Sequence, residues 1–176
     1  ALDTASSEFF SKKIYFLHAE NKKYSSDTMI KKYKSIINKY PIISIEDGLA
    51  EDDWPGWKKL TEKLGKRVYL VGDDLFTTNM LRFQKGINKN IGNAILVKPN
   101  QIGTITETIN IIKMAQKNKY ITIISHRSGE TCDDFISDLA VASNSEFLKA
   151  GSLSRGERVS KYNRLMKIEE EIQHYA

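Results

Sequence analysis

Ala94-Ile95-Leu96-Val97-Lys98 runs four apolar residues into a lysine, and the repetition of that arrangement along the chain decides the fold. Ile42-Ile43-Ser44-Ile45 ends at Glu46, and Val68-Tyr69-Leu70-Val71-Gly72 ends at Asp73. Ile121-Thr122-Ile123-Ile124-Ser125 ends at His126-Arg127, and Phe147-Leu148 ends at Lys149. Runs that are apolar on both faces read as strands of a buried parallel sheet. Such sheets gather their chemistry at the carboxyl ends of the strands. Acids, lysines and a histidine emptied onto one rim describe an active site.

Helical patterns fill the intervals. Ser26 is read as the cap of a helix with Met29, Ile30, Tyr33, Ile36 and Ile37 on one face. A second helix runs from near Trp54 to Leu64, closed by Gly65, and a third follows Thr78-Asn79. Thr104-Ile105-Thr106-Glu107 is a capping box opening a fourth. Thr131 to Asp134 signals a fifth helix start, and Ser154-Arg155-Gly156-Glu157 a sixth. Strand and helix alternate over short connections, which predicts right-handed βαβ units. An open doubly wound sheet would bring a glycine-rich phosphate loop, and neither G-x-G-x-x-G nor a Walker loop follows any strand. Polar residues ending almost every strand favour a barrel rim, and the expectation is an α/β fold, part of a TIM-type (β/α)8 barrel. A complete barrel needs about 250 residues, and 176 residues supply part of one.

Composition narrows the function classes. Hydrophobic content of 40% and charged content of 28% are those of an ordinary globular domain. No apolar stretch reaches membrane-spanning length, and no basic-then-apolar leader marks export. The single cysteine, Cys132, excludes an internal disulfide and fits a reducing compartment. The net charge of +5 rests on lysines such as Lys31, Lys32, Lys34, Lys58 and Lys59, which read as solvated helix surface rather than a nucleic-acid interface. The start at Ala1-Leu2-Asp3, without Met and inside a strand, reads as a truncated or processed piece.

Asp3, Glu46 and Asp73 each end or nearly end a separate expected strand. Three carboxylates on one rim repel without a cation between them, and hard oxygen ligands without a histidine or cysteine cluster select Mg²⁺ over zinc. Asp47 and Asp74, beside two of them, are expected in loop or supporting roles. Lys98 faces two readings, a salt bridge to one of the acids or a base that takes a proton from carbon. Together with the carboxylate trio and Lys149, the base reading is favoured. Ser125-His126-Arg127-Ser128-Gly129-Glu130-Thr131 is the densest polar stretch. Arg127 can grip phosphate through two parallel hydrogen bonds, with Ser128 and nearby amides as further donors. Lys149 can hold a fixed positive charge where negative charge develops. His18, His174 and Cys132 read as structural or surface residues.

These segments resemble the enolase family, the phosphopyruvate hydratases. The resemblance is carried by Ser44-Ile45-Glu46-Asp47-Gly48, Gly72-Asp73-Asp74-Leu75 and Lys98-Pro99-Asn100-Gln101-Ile102-Gly103. Ser125 to Thr131, Lys149-Ala150-Gly151 and Arg158-Val159-Ser160-Lys161-Tyr162-Asn163 extend it over essentially the whole chain. It implies an incomplete C-terminal enolase barrel domain over residues 1–176, a partial TIM-type (β/α)8 barrel with about six βα units and two open sheet edges, lacking the family's N-terminal α+β domain and first barrel segments. It implies Asp3, Glu46 and Asp73 as ligands of Mg²⁺, Lys98 as the catalytic base, and His126, Arg127, Ser128 and Lys149 as substrate contacts. A Lys or His base with one or two Mg²⁺ ions is the pattern of that superfamily.

The implied activity is a Mg²⁺-dependent carbon–oxygen lyase of glycolysis, converting 2-phosphoglycerate reversibly to phosphoenolpyruvate. A cytoplasmic location follows, with a homodimer or larger assembly for the full-length protein. Part of the catalytic set lies outside this chain on this reading. A rival of another class is a catalytically silent binding or scaffold fragment of an enolase. A sibling enzyme acting on a non-phosphorylated acid is a third.

Overall fold

A strand that is apolar on both faces needs two apolar layers to cover it, and this chain supplies both. The computed structural model describes residues 1–175. In chain order, β1 is Leu2–Asp3, β2 Phe10–Ser11, β3 Ile14–Leu17, β4 Lys22–Tyr24, α1 Ser26–Lys39, β5 Ser44–Glu46, α2 Trp54–Leu64 and β6 Tyr69–Gly72. Then come α3 Met80–Lys89, β7 Ala94–Val97, the short α4 Pro99–Ile102, α5 Ile105–Lys117, β8 Ile121–Ser125, α6 Phe135–Ala142, β9 Phe147–Lys149 and α7 Gly156–Tyr175. Strands β1, β5, β6, β7, β8 and β9 form one all-parallel sheet in that order. Each is followed by a helical connection, the expected six βα units.

Laid flat, six strands at about 4.8 Å spacing would hold the two edges roughly 24 Å apart. Lys149 Nζ, on edge strand β9, instead lies 2.8 Å from Asp3 Oδ2 on edge strand β1. The sheet therefore curls into a half-barrel. Alternate strand residues take opposite sides. Ile45, Leu70, Ile95, Val97 and Ile124 pack outward with Leu49, Trp57, Leu60, Phe76, Phe83, Ile111 and Leu139. Val71, Ala94, Leu96 and Ile123 turn inward, with Tyr69 and Ile121 against them. A cavity of about 420 Å³ opens beside that inner layer, between Leu2, Ile43, Tyr69, Val71, Phe147 and Lys149 among others.

Three features depart from the sequence reading. The cap of α1 is Ser25, whose hydroxyl accepts the Thr28 N–H, and Ser26 lies inside the helix with its hydroxyl on Asp53. Gly65 does close α2, but with an ordinary right-handed backbone, φ −64°. Strands β2, β3 and β4 form a separate antiparallel sheet inserted between β1 and α1. Its first turn is Lys12-Lys13, both at positive φ. Tyr15 anchors this sheet to the barrel: its hydroxyl donates to Asp53 Oδ2 and accepts the Ala50 N–H. Among the described residues, no helix is long and apolar enough to cross a membrane.

Candidate active site

Parallel pairing sets the rim. Asp3 and Glu46 stand opposite each other in register, as do Ser125 and Lys149. Lys149 Nζ donates to Asp3 Oδ2 and to Glu46 Oε1, 2.8 Å each. Glu46 is buried, and burial pushes its carboxyl up to about 7, with Lys149 opposing and Asp3 and Asp73 adding to the rise. Burial would lower the Lys149 ammonium, yet its bonds to Asp3 and Glu46 outweigh that and raise it.

The second cluster lies one strand further. Asp73 follows β6, and its Oδ2 is 2.5 Å from Lys98 Nζ. Its other oxygen, Oδ1, is buried with no hydrogen-bond partner among the described residues. Lys98 follows β7 in an extended backbone, as a residue before proline must. Its N–H is held at 3.0 Å by Thr78 Oγ1, which donates in turn to Gln101 Oε1 at 2.6 Å. The ion-pair reading of Lys98 is thus realised.

Asp47 leaves the strand at φ +44° and turns its carboxylate onto the next loop. Oδ1 accepts the Asp73 N–H at 3.0 Å and Oδ2 the Asp74 N–H at 2.8 Å. Burial pushes this carboxyl up to about 8 against the pull of those donors, and also raises Asp74. Asp47, Asp73 and Asp74 bring one oxygen each within 4.8 Å of one another. Among the described residues that is the one group of three acids brought so close; the expected set Asp3-Glu46-Asp73 is not drawn together to that distance, its Asp3 and Glu46 being bridged by Lys149. Asp73 belongs to both, and its orphaned buried oxygen asks for a positive partner. Both carboxylate oxygens of Asp47 are committed to backbone N–H groups, whereas Asp3 Oδ2 and Glu46 Oε1 are bonded to Lys149.

The third cluster is the 126–131 loop after β8. The His126 N–H donates to the Lys149 carbonyl at 2.9 Å, tying the loop to the neighbouring strand end. Arg127 and Ser128 are exposed, and Arg127 Nη1 lies 3.2 Å from Asn100 Oδ1 of α4. The loop's shape comes from α7. Arg158 donates Nη1 to the Arg127 carbonyl and Nη2 to the Ser128 carbonyl, both at 2.9 Å, and contacts His126 Nδ1. Lys161, fully buried, donates to the Thr131 and Glu157 carbonyls at 2.6 and 2.7 Å and pairs with Glu130 at 2.8 Å. Neither Arg158 nor Lys161 was assigned a role from sequence. Burial lowers the His126 imidazole below its ordinary range, with Arg158 next in effect. His18 is exposed with its ring edge-on to Phe16, and Cys132 is exposed.

Residues 1–176 match the family model described as enolase, C-terminal TIM barrel domain. The chain belongs to that family. The protein named enolase from Wolinella succinogenes is 56% identical over 173 residues, and the one from Helicobacter hepaticus 57% over 173 residues. Each alignment covers 98% of this chain and 41% of the relative, so the chain spans about two fifths of the length of these curated relatives. Within this enolase barrel, all eight residues singled out on the rim lie at or just after the carboxyl ends of parallel strands. Asp3, Glu46 and Lys149 meet directly, Asp73 and Lys98 meet directly, and His126 is bonded to Lys149. Arg127 and Ser128 stand further out, on the solvent side of the loop.

Proposed function

We propose that this chain carries the base, the main cation site and the phosphate loop of a phosphopyruvate hydratase, which converts 2-phosphoglycerate to phosphoenolpyruvate. The observation that carries the reading is the Asp73–Lys98 pair beside the Lys149-bridged acids Asp3 and Glu46. It joins a proton acceptor, a carboxylate trio and a fixed positive charge on one rim. Membership of the enolase family supports it. The domain proposed is the C-terminal enolase barrel over residues 1–176, working within a longer, cytoplasmic, homo-oligomeric enzyme.

Asp3, Glu46 and Asp73 would hold Mg²⁺, which when bound would compensate their charge and offset negative charge building on the substrate carboxylate. Lys98 Nζ takes the proton from the carbon that bears the phosphate. Lys149 sits beside the acids on the neighbouring strand end and stabilises the developing carboxylate charge. Arg127 and Ser128, exposed at the loop surface, receive the phosphate, with His126 behind them. The acid that assists departure of hydroxide is supplied from outside this chain.

The test is formation of phosphoenolpyruvate by the full-length protein containing this chain, with Mg²⁺ and after chelation, and then with Lys98→Ala. Conversion that depends on Mg²⁺ and falls by at least about a thousandfold in the variant supports the roles assigned. Undiminished turnover in Lys98→Ala would refute the base.

A further inference from the structure

We propose that Arg158 is a positioning residue that locks His126 in its neutral Nε2–H tautomer while clamping the Arg127–Ser128 backbone. The loop then meets phosphate with a fixed set of donors. The chemistry of the contact dictates the tautomer. A guanidinium has five N–H donors and no acceptor. It contacts His126 at Nδ1, so that nitrogen must offer its lone pair, and the ring proton must reside on Nε2. The same guanidinium spends its other donors on two successive carbonyls, those of Arg127 and Ser128. A planar fork spanning three consecutive residues fixes their relative orientation in a way that a lysine could not.

Burial and then Arg158 from α7 weigh most against a second proton on the imidazole, Lys149 from β9 and Lys98 from the end of β7 add to them, and Glu130 in the loop opposes. Gly151 makes the approach possible. A Cβ there would stand 3.0 Å from Arg158 Cδ and 3.3 Å from His126 Cε1. Arg158 itself is buried, beneath the loop rather than on its outer face.

The effect on substrate affinity rests on the hydratase reading, but the tautomer does not. The experiment uses the full-length protein, with imidazole ¹⁵N–¹H correlation spectra and the His126 signal assigned by its loss in His126→Gln. The wild type is expected to show protonated Nε2 and bare Nδ1. In Arg158→Met the tautomers mix, the His126 titration midpoint moves up, and KM for 2-phosphoglycerate rises about tenfold with a smaller change in kcat. Arg158→Lys restores folding and only part of the KM. A purely structural role would reduce kcat with the folded fraction and leave the tautomer of the folded molecules as it was. Protonated Nδ1 in the wild type, or an Arg158→Met variant with unchanged tautomer and KM, would overturn the proposal. If the wild type converts no 2-phosphoglycerate, the hydratase reading falls, and the spectra still decide the part played by Arg158.

Discussion

Thr78 Oγ1 accepts the backbone N–H of Lys98 at 3.0 Å, across twenty positions of sequence. The hydroxyl is fully buried and passes its own proton to Gln101. It joins the loop after β6, the lysine after β7 and the short helix α4 into one unit. Thr78 also sits at φ +49°, a conformation that costs any β-branched residue. Valine carries the same shape and the same backbone cost, so Thr78→Val isolates the hydroxyl. We expect a loss of about 1–3 kcal/mol in urea unfolding, because one buried donor and one acceptor lose their partner. A larger proportional fall in kcat than in substrate affinity is expected alongside it, because Lys98 is the group displaced.

The pH dependence of stability in metal-free buffer follows from Glu46 and Asp47, whose folded-state values of about 7 and about 8 lie above those of an unfolded chain. The folded molecule binds more protons than the unfolded one through this range, so stability falls as pH rises. The urea midpoint is expected to drop from about pH 4.5, just above the unfolded carboxylate range, to about pH 8, where Asp47 ionises in the folded chain, and Glu46→Gln to make the decline shallower. His126 runs the other way. Its lowered value means that it withdraws stability as pH falls below the ordinary histidine range, and one proton against two flattens the decline there without reversing it. A midpoint that rises steadily from neutral to alkaline pH would contradict the assignment.

Asp47 is expected to behave as a backbone clamp. Asp47→Asn keeps one acceptor and turns an amide toward the other N–H, at an expected cost of about 1–3 kcal/mol. Asp47→Ala loses both bonds and also places alanine at φ +44°, where the asparagine side chain is better tolerated. The alanine variant should therefore be the less stable of the two by about 1 kcal/mol or more. Equal midpoints in chemical denaturation would remove the conformational part of the argument.

Gly151→Ala tests the close approach under the phosphate loop. Gly151 has φ +88°, and the added methyl would press on Arg158. Destabilisation of about 1–3 kcal/mol is expected. Raised KM at temperatures where the variant is still folded would show that the loop has shifted.

Most of the barrel is written in local pattern. Runs such as Ala94 to Val97 are apolar on both faces, and that pattern survives folding because each face meets its own layer, helices outside and barrel lining inside. The rim acids and lysines are legible for the same reason, since they terminate those runs. The inserted hairpin was not legible. Tight hairpin turns need positive φ and usually advertise it with Asn-Gly or Asp-Gly, whereas Lys12-Lys13 adopts that backbone without the signal. Helix α4 was hidden by Pro99, which restricts the residue before it and yet suits the first turn of a helix. Arg158 and Lys161 were missed because charges on a long C-terminal helix ordinarily face water. Only the three-dimensional path of the 126–131 loop across α7 buries them.

Lys161 has three N–H bonds to give and three oxygens to receive them, from Glu130, Thr131 and Glu157. An amine so committed keeps no lone pair and no access for an attacking reagent. Acylating probes that decorate the helix lysines of the native protein should therefore leave this nitrogen unmarked, and its labelling would report the moment when the C-terminal helix lifts away.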